Sequence, residues 1–139
     1  MLRVTPDTNI LVSGLVYQRG KPYQLLRMAL AGEINMTVSQ AIMDEMADVL
    51  ARKFNMSDDF IADAKVIVHN AARVVKPAVA LDVVKDDPDD SKIVECAVTA
   101  GSDYIITGDR HLLKLKQYDS IRILKVADFM TAARGRGVS

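Results

Sequence analysis

Cysteine is almost missing from this sequence: the single Cys96 excludes an internal disulfide and a cysteine-built zinc cage. Its place in an apolar helical pattern marks it as an inert core thiol, so redox chemistry is set aside. Tryptophan is absent, and the seven glycines and four prolines are too few and too scattered for a linker or a low-complexity chain. Long apolar runs are also lacking. No stretch approaches the ~20 residues that a membrane helix needs, and residues 1–7 carry no signal-peptide core. The expected setting is the cytoplasm, with no membrane association. Net charge is zero, so the chain has none of the overall basic excess common among nucleic-acid binders.

What is present fits a folded domain. Half of the 139 residues are hydrophobic and 26% are charged, and a chain of this length buries roughly 68–70% of the surface it exposes when unfolded. One domain spanning residues 1–139 is expected, with residues 134–139 as a frayed tail. The zero net charge conceals an asymmetry. Residues 1–109 hold 11 Lys/Arg against 16 Asp/Glu, a net of −5, and residues 110–139 hold 7 against 2, a net of +5. The basic group comprises Arg110, Lys114, Lys116, Arg122, Lys125, Arg134 and Arg136. Such a group reads either as a solvated face or as a basic rim beside an acidic centre, which a metal-dependent nuclease needs.

Strand-like and helix-like segments alternate. Residues 2–5 read as a strand ended by Pro6, and residues 9–15 as a helix. Pro22 suits the first turn of a second helix that Gly32 stops. A β-type run at 34–38 leads to Ser39, an N-cap for a helix reaching about residue 54, whose buried stripe is Ile42, Met46, Val49 and Leu50. Ser57 opens another helix, to about residue 72, with Asp58 and Asp59 at its positive end. Residues 73–75 form a third strand and 77–87 a loop. Pro88 then starts a helix closed by Gly101, with Ile93, Cys96, Ala97 and Ala100 facing inward. Residues 104–107 are the clearest buried strand. A short helix with Leu112, Leu113 and Leu115, a strand at 121–124 and a helix at about 126–133 complete the chain.

Strands separated by helices imply an α/β fold, a parallel sheet of about five strands covered on both faces. Ligands of such sheets bind at the carboxyl ends of the strands, where strand order reverses. Asp7 and Asp109 both leave strands at that edge. Glu45, on the helix after the second strand, and Asp90, in the first turn of the helix before the fourth, reach the same edge if the first and fourth strands are neighbours. Four carboxylates there suit magnesium or manganese, hard cations that take oxygen ligands. Unpaired carboxylates in one cleft otherwise repel, which implies a bound cation, raised pKa values or basic partners. One or two such ions support hydrolysis of phosphodiesters. Taken singly, each acid has a plainer reading: Asp7 starts a turn, Glu45 is solvated, Asp90 decorates a helix start beside Asp86, Asp87 and Asp89, and Asp109 is an N-cap.

Four segments carry a family resemblance. Asp7-Thr8-Asn9-Ile10-Leu11-Val12-Ser13-Gly14-Leu15, residues 39–45, Asp87-Pro88-Asp89-Asp90-Ser91-Lys92-Ile93 and Thr107-Gly108-Asp109-Arg110-His111-Leu112-Leu113 together resemble the PIN-domain family. The likeness spans nearly the whole chain and is strongest to the branch counted among the toxins of toxin–antitoxin pairs. It implies a three-layer α/β/α sandwich and a metal-dependent ribonuclease acting on single-stranded RNA. It also implies an antitoxin protein as partner and is compatible with self-association. By that resemblance Asp7, Asp90 and Asp109 are the main metal ligands and Glu45 is a ligand or water-mediated partner. Asn9 and Thr107 match positions that support the first and last acids.

In one respect the chain departs from many relatives, which carry another acid two residues after the Asp109 position, where His111 stands here. His111 reads as an exposed helix-start residue, with metal or phosphate contact as the alternative, and His69 reads as structural. A phosphatase of the haloacid dehalogenase type would need a second Asp where Asn9 stands and an acid after Asp109, and has neither. The rival from another class is a PIN-like module that binds RNA or protein without cutting.

Overall fold

The structure is a computed structural model describing residues 1–77 and 88–135, with the side chains of Pro88 and Asp89 outside that description. The loop expected at 77–87 lies outside the described residues except for Pro77, as do residues 136–139 and with them Arg136.

Six strands form one sheet: β1 (Arg3–Pro6), β2 (Asn35–Ser39), β3 (Ala72–Val75), β4 (Tyr104–Ile106), β5 (Gln117–Tyr118) and β6 (Ile121–Leu124). Their order is β3-β2-β1-β4-β6-β5. All neighbours are parallel except β5 and β6, so the expected five-stranded parallel sheet gains a two-residue antiparallel edge strand. Consecutive strand residues point to opposite faces. Val4, Thr5 and Pro6 in β1 and all of β4 are buried in succession, which requires cover on both faces. Helices supply it: α1 (Thr8–Val16), α2 (Lys21–Leu30), α3 (Gln40–Arg52), α4 (Asp58–Ala71), α5 (Pro88–Ala100), α6 (Arg110–Leu115) and α7 (Val126–Arg134). The architecture is an α/β sandwich around a mostly parallel sheet. No helix among the described residues is long and apolar enough to cross a membrane.

Local chemistry accounts for the boundaries. Ser39 and Ser57 each accept the backbone N–H three residues on, capping α3 and α4. Gly32 follows α2 at φ 76 and Gly101 ends α5 at φ 65, the left-handed turn that glycine adopts without steric cost. Strand β1 ends at Pro6, as expected, and takes in the proline as its last residue. The β1–β2 ladder spans Arg3 and Val4, so the missing proline N–H falls where that ladder has already ended. Helix α7 takes in Arg134, one residue beyond its expected end, and Gly135 caps it in a right-handed conformation, which shortens the expected tail.

The core is continuous through both layers. Phe129 of α7 is fully buried and meets Tyr104 of β4 edge to face at 5.4 Å. Cys96 of α5 is fully buried, with its thiol donating to the Thr37 carbonyl of β2. A hydroxyl pair, Thr5 and Ser102 at 2.8 Å, is buried with its hydrogen bond satisfied.

Strand order fixes the position of the site. From β1 the chain moves one way to β2 and β3, and from β4 it moves the other way to β6 and β5. The reversal lies between β1 and β4, the adjacency needed to bring all four acids to one edge.

Candidate active site

The sheet itself pins the first and last acids. The Asp7 amide donates to the Ile106 carbonyl at 2.9 Å, one residue past β1, and the Thr107 amide donates to Leu124 at 3.0 Å, one residue past β4. Each acid then serves as the N-cap of the helix that follows. Asp7 Oδ1 accepts the Ile10 amide at 3.1 Å, and Asp109 Oδ1 accepts the amides of His111 and Leu112 at 2.7 and 3.3 Å. The capping reading of Asp109 therefore holds alongside the functional one. Capping uses one carboxylate oxygen of each residue.

Thr107 joins the two acids. Its hydroxyl donates to Asp7 Oδ2 and accepts the Asp109 amide at 2.9 Å. Glu45, half-buried on α3, accepts the Thr8 hydroxyl at 3.0 Å, which ties α3 to the start of α1. Asp90, in the first turn of α5, is buried. Asp7, Glu45, Asp90 and Asp109 line one cleft of about 30 Å³ together with Thr8, Asn9 and Ile93. The lining includes no lysine, arginine or histidine among the described residues.

Electrostatics mark Asp7. Burial pushes its carboxyl above the ordinary value, hydrogen bonds from Thr107, Ile10 and Asn9 pull it back, and the nearby charge of Asp109 raises it further. Asn9 contributes through its backbone amide, and the residue is exposed at the lining of the cleft.

The donor set fits a hard divalent cation: every ionisable lining group described is a carboxylate, and the space suits an ion rather than an organic ligand. Among the described residues no three acidic, histidine or cysteine side chains form a preformed cage. Asp7 and Asp109 each turn one oxygen toward their own helix.

Among the described residues, the histidines and the basic group lie outside the lining of the cleft. His111 is exposed and does not line the cleft; only its amide reaches Asp109. His69 is exposed near the end of α4. Of the basic group, Arg110 borders a groove beside the cleft, whereas Arg134 lines a separate cavity with Arg19 and Arg27. Lys114, Lys116, Arg122 and Lys125 are exposed. Thr8 and Ile93 line the cleft without having been expected there. A hydroxyl directly after Asp7 was the available signal for Thr8, and the three-residue spacing from Asp90 the signal for Ile93.

Comparison with known proteins places these features in a lineage. A family model described as PIN domain matches residues 3–111. The uncharacterized protein MJ1680 of Methanocaldococcus jannaschii is 26% identical over 129 residues, covering 90% of this chain and 81% of that protein. Among solved structures, VapBC2 from Rickettsia felis, bound to a DNA fragment from their promoter, aligns with a TM-score of 0.62 at 12% identity. That alignment covers 89% of this chain and 98% of the matched one.

Proposed function

Because the chain belongs to the PIN-domain family, we propose that it is a divalent-metal-dependent endoribonuclease that hydrolyses phosphodiester bonds of single-stranded RNA. The observation that carries this reading is the convergence of Asp7, Glu45, Asp90 and Asp109 on one small cleft whose described lining holds no cationic side chain. Asp7, Asp90 and Asp109 would hold magnesium or manganese, one ion or two, with Glu45 as a further or water-mediated partner. When bound, the ion supplies charge neutralisation at the phosphate and polarisation of water. The chain's own residues orient the carboxylates: Thr107 and the Ile10 amide fix both oxygens of Asp7, the α6 amides fix Asp109, and Thr8 fixes Glu45. RNA as the substrate is drawn from the family resemblance.

The test is cleavage of an unstructured RNA with Mn²⁺ or Mg²⁺, comparing wild type with Asp7→Asn and Asp90→Asn. Cleavage that stops in both variants and in chelator supports the site. Cleavage surviving both substitutions removes these residues from the chemistry, and tight RNA binding without metal-dependent cleavage favours a non-cutting module.

We further propose a toxin role with an antitoxin protein as partner. Support comes from the likeness in fold to VapBC2 and from the branch resemblance. An adjacent small gene whose product binds this chain and suppresses its cleavage is the expected finding. Unimpaired growth on overexpression of demonstrably active enzyme would count against it.

A further inference from the structure

We propose that the groove between α1 and the turn joining β4 to α6 is a nucleotide subsite, seating the RNA nucleotide next to the bond being cut. The inference rests on the ribonuclease reading above and adds to it the residues that grip the substrate.

Size is the first argument. A water needs roughly 10–15 Å³ of cavity to enter, so the acidic cleft of about 30 Å³ admits an ion or a water or two but no nucleobase. The bulk of an RNA strand has to lie outside it. Two large cavities, of about 720 and 400 Å³, touch none of the four acids. A groove of about 490 Å³ does: it shares Asn9 and Asp109 with the cleft and is otherwise lined by Ile10, Ser13, Gly108 and Arg110. That volume lies within the roughly 300–1,000 Å³ typical of small-molecule sites.

The lining chemistry suits a nucleotide. Asn9 and Ser13 are four residues apart on α1 and share a face, which presents a carboxamide with donors and an acceptor next to a hydroxyl. Single-stranded RNA is read through the edges of unstacked bases, which such groups can pair. Asn9 supports Asp7 through its backbone, so its exposed carboxamide is available for this. Ile10 is half-buried and gives a base an apolar wall. The exposed guanidinium of Arg110 sits at the groove's edge, where it can hold the neighbouring phosphate without entering the acidic cleft. Gly108 lines the groove, and a Cβ built there meets open space, with nothing within 4 Å. A larger side chain at this exposed lining position can therefore be added beside the groove without a clash with the core.

The experiment follows from that last point. Mn²⁺-dependent hydrolysis is measured for a fluorescent single-stranded RNA and for the small diester bis-(p-nitrophenyl) phosphate. The enzymes are wild type, Gly108→Gln, Arg110→Ala and Arg110→Lys, with folding checked by circular dichroism. Gly108→Gln is expected to raise KM for RNA about tenfold and to lower the RNA-to-diester ratio of kcat/KM by a similar factor. Arg110→Ala is expected to lower the salt dependence of RNA engagement by about 0.7 in logarithmic slope, the amount due to one phosphate contact on a single strand. Arg110→Lys should restore it, since a point charge suffices. An RNA-to-diester ratio within about twofold of wild type in Gly108→Gln, or an unaltered salt slope in Arg110→Ala, would overturn the subsite and leave the ribonuclease intact. Wild type that cleaves no RNA would overturn the ribonuclease reading itself, and the subsite with it.

Discussion

The hydroxyl of Thr107 is hydrogen-bonded to Oδ2 of Asp7, across the boundary between β4 and β1. Because the same oxygen accepts the Asp109 amide, one fully buried side chain orients both strand-end acids. Thr107→Val keeps the shape and removes the hydroxyl. It deprives a buried carboxylate of a donor and a part-buried amide of its acceptor, an outcome that typically costs about 1–3 kcal/mol. Urea denaturation should register that loss, with Thr107→Ser restoring most of it. Partners that orient ligating carboxylates commonly change metal affinity by about 10–100-fold. Titration with Mn²⁺ should therefore show weaker binding in Thr107→Val than in Thr107→Ser. Equal affinity in the two would show that the hydroxyl does not organise the site.

Asp7 is buried and its carboxyl is raised, chiefly by desolvation and also by Asp109. A carboxyl whose folded pKa exceeds its unfolded one binds protons more readily in the native state, so stability falls as pH rises between the two values. Above that window the full penalty is present, and below about 3.8 it is gone. In chelator at neutral pH, Asp7→Asn should thus melt no lower than wild type and by this reasoning higher, because asparagine also caps helices well. Its advantage should shrink as pH falls through the window. Mn²⁺ should raise the melting temperature of wild type and leave the variant unmoved. A variant that melts well below wild type in chelator would show that Asp7 serves the fold rather than a ligand.

Burial pushes the Cys96 thiol up to about 12, against the weaker opposing hydrogen bonds of Thr5 and Ser39. The nucleophile in alkylation is the thiolate. At pH 8.5 the native protein should resist iodoacetamide and label only in denaturant. The linkage has a definite sign: the unfolded thiol ionises first, near 9, so Cys96 subtracts stability as pH rises from there toward 12. Rapid labelling of native protein would mean that α5 opens locally far more often than a core helix should.

The legible parts of the fold were those in which one local rule acts. Residues Tyr104, Ile105 and Ile106 read as a buried strand because a strand covered on both faces is continuously apolar. The serine caps at 39 and 57 marked their helices because the capping bond is local. Strand β5 escaped notice because two residues, Gln117 and Tyr118, carry no period. Pro6 marked the end of β1; that the proline is itself included depends on where the β1–β2 ladder stops, a property of the assembled sheet. The site divides in the same way. Asp7 and Asp109 were marked by their strand ends. Glu45 and Asp90 reach the cleft only because β1 and β4 are adjacent, and resemblance rather than local pattern singled them out. Whether Asp89 also points there lies outside the described side chains. Ser13 and the groove beside Gly108 depend on how α1 meets the β4–α6 turn, which no spacing encodes.

Gly14 tests the placement of α1, on which both the cleft and the groove depend. A Cβ at this position would lie 2.9 Å from the Pro22 carbonyl oxygen and 3.2 Å from its carbon, both backbone atoms of α2. Alanine gains up to about 1 kcal/mol of intrinsic helix propensity over glycine, so in an exposed helix Gly→Ala would stabilise. Here the backbone of one helix would have to move away from the other, and overpacking of this kind costs typically about 1–3 kcal/mol. The packing term should win, and Gly14→Ala should unfold at lower urea concentration than wild type. Displacing α1 also moves Asp7, Thr8 and Asn9 at its start, so Mn²⁺ binding should weaken together with stability. An alanine variant more stable than wild type would mean that α1 and α2 are not in contact at Gly14, and the geometry built on that crossing would have to be redrawn.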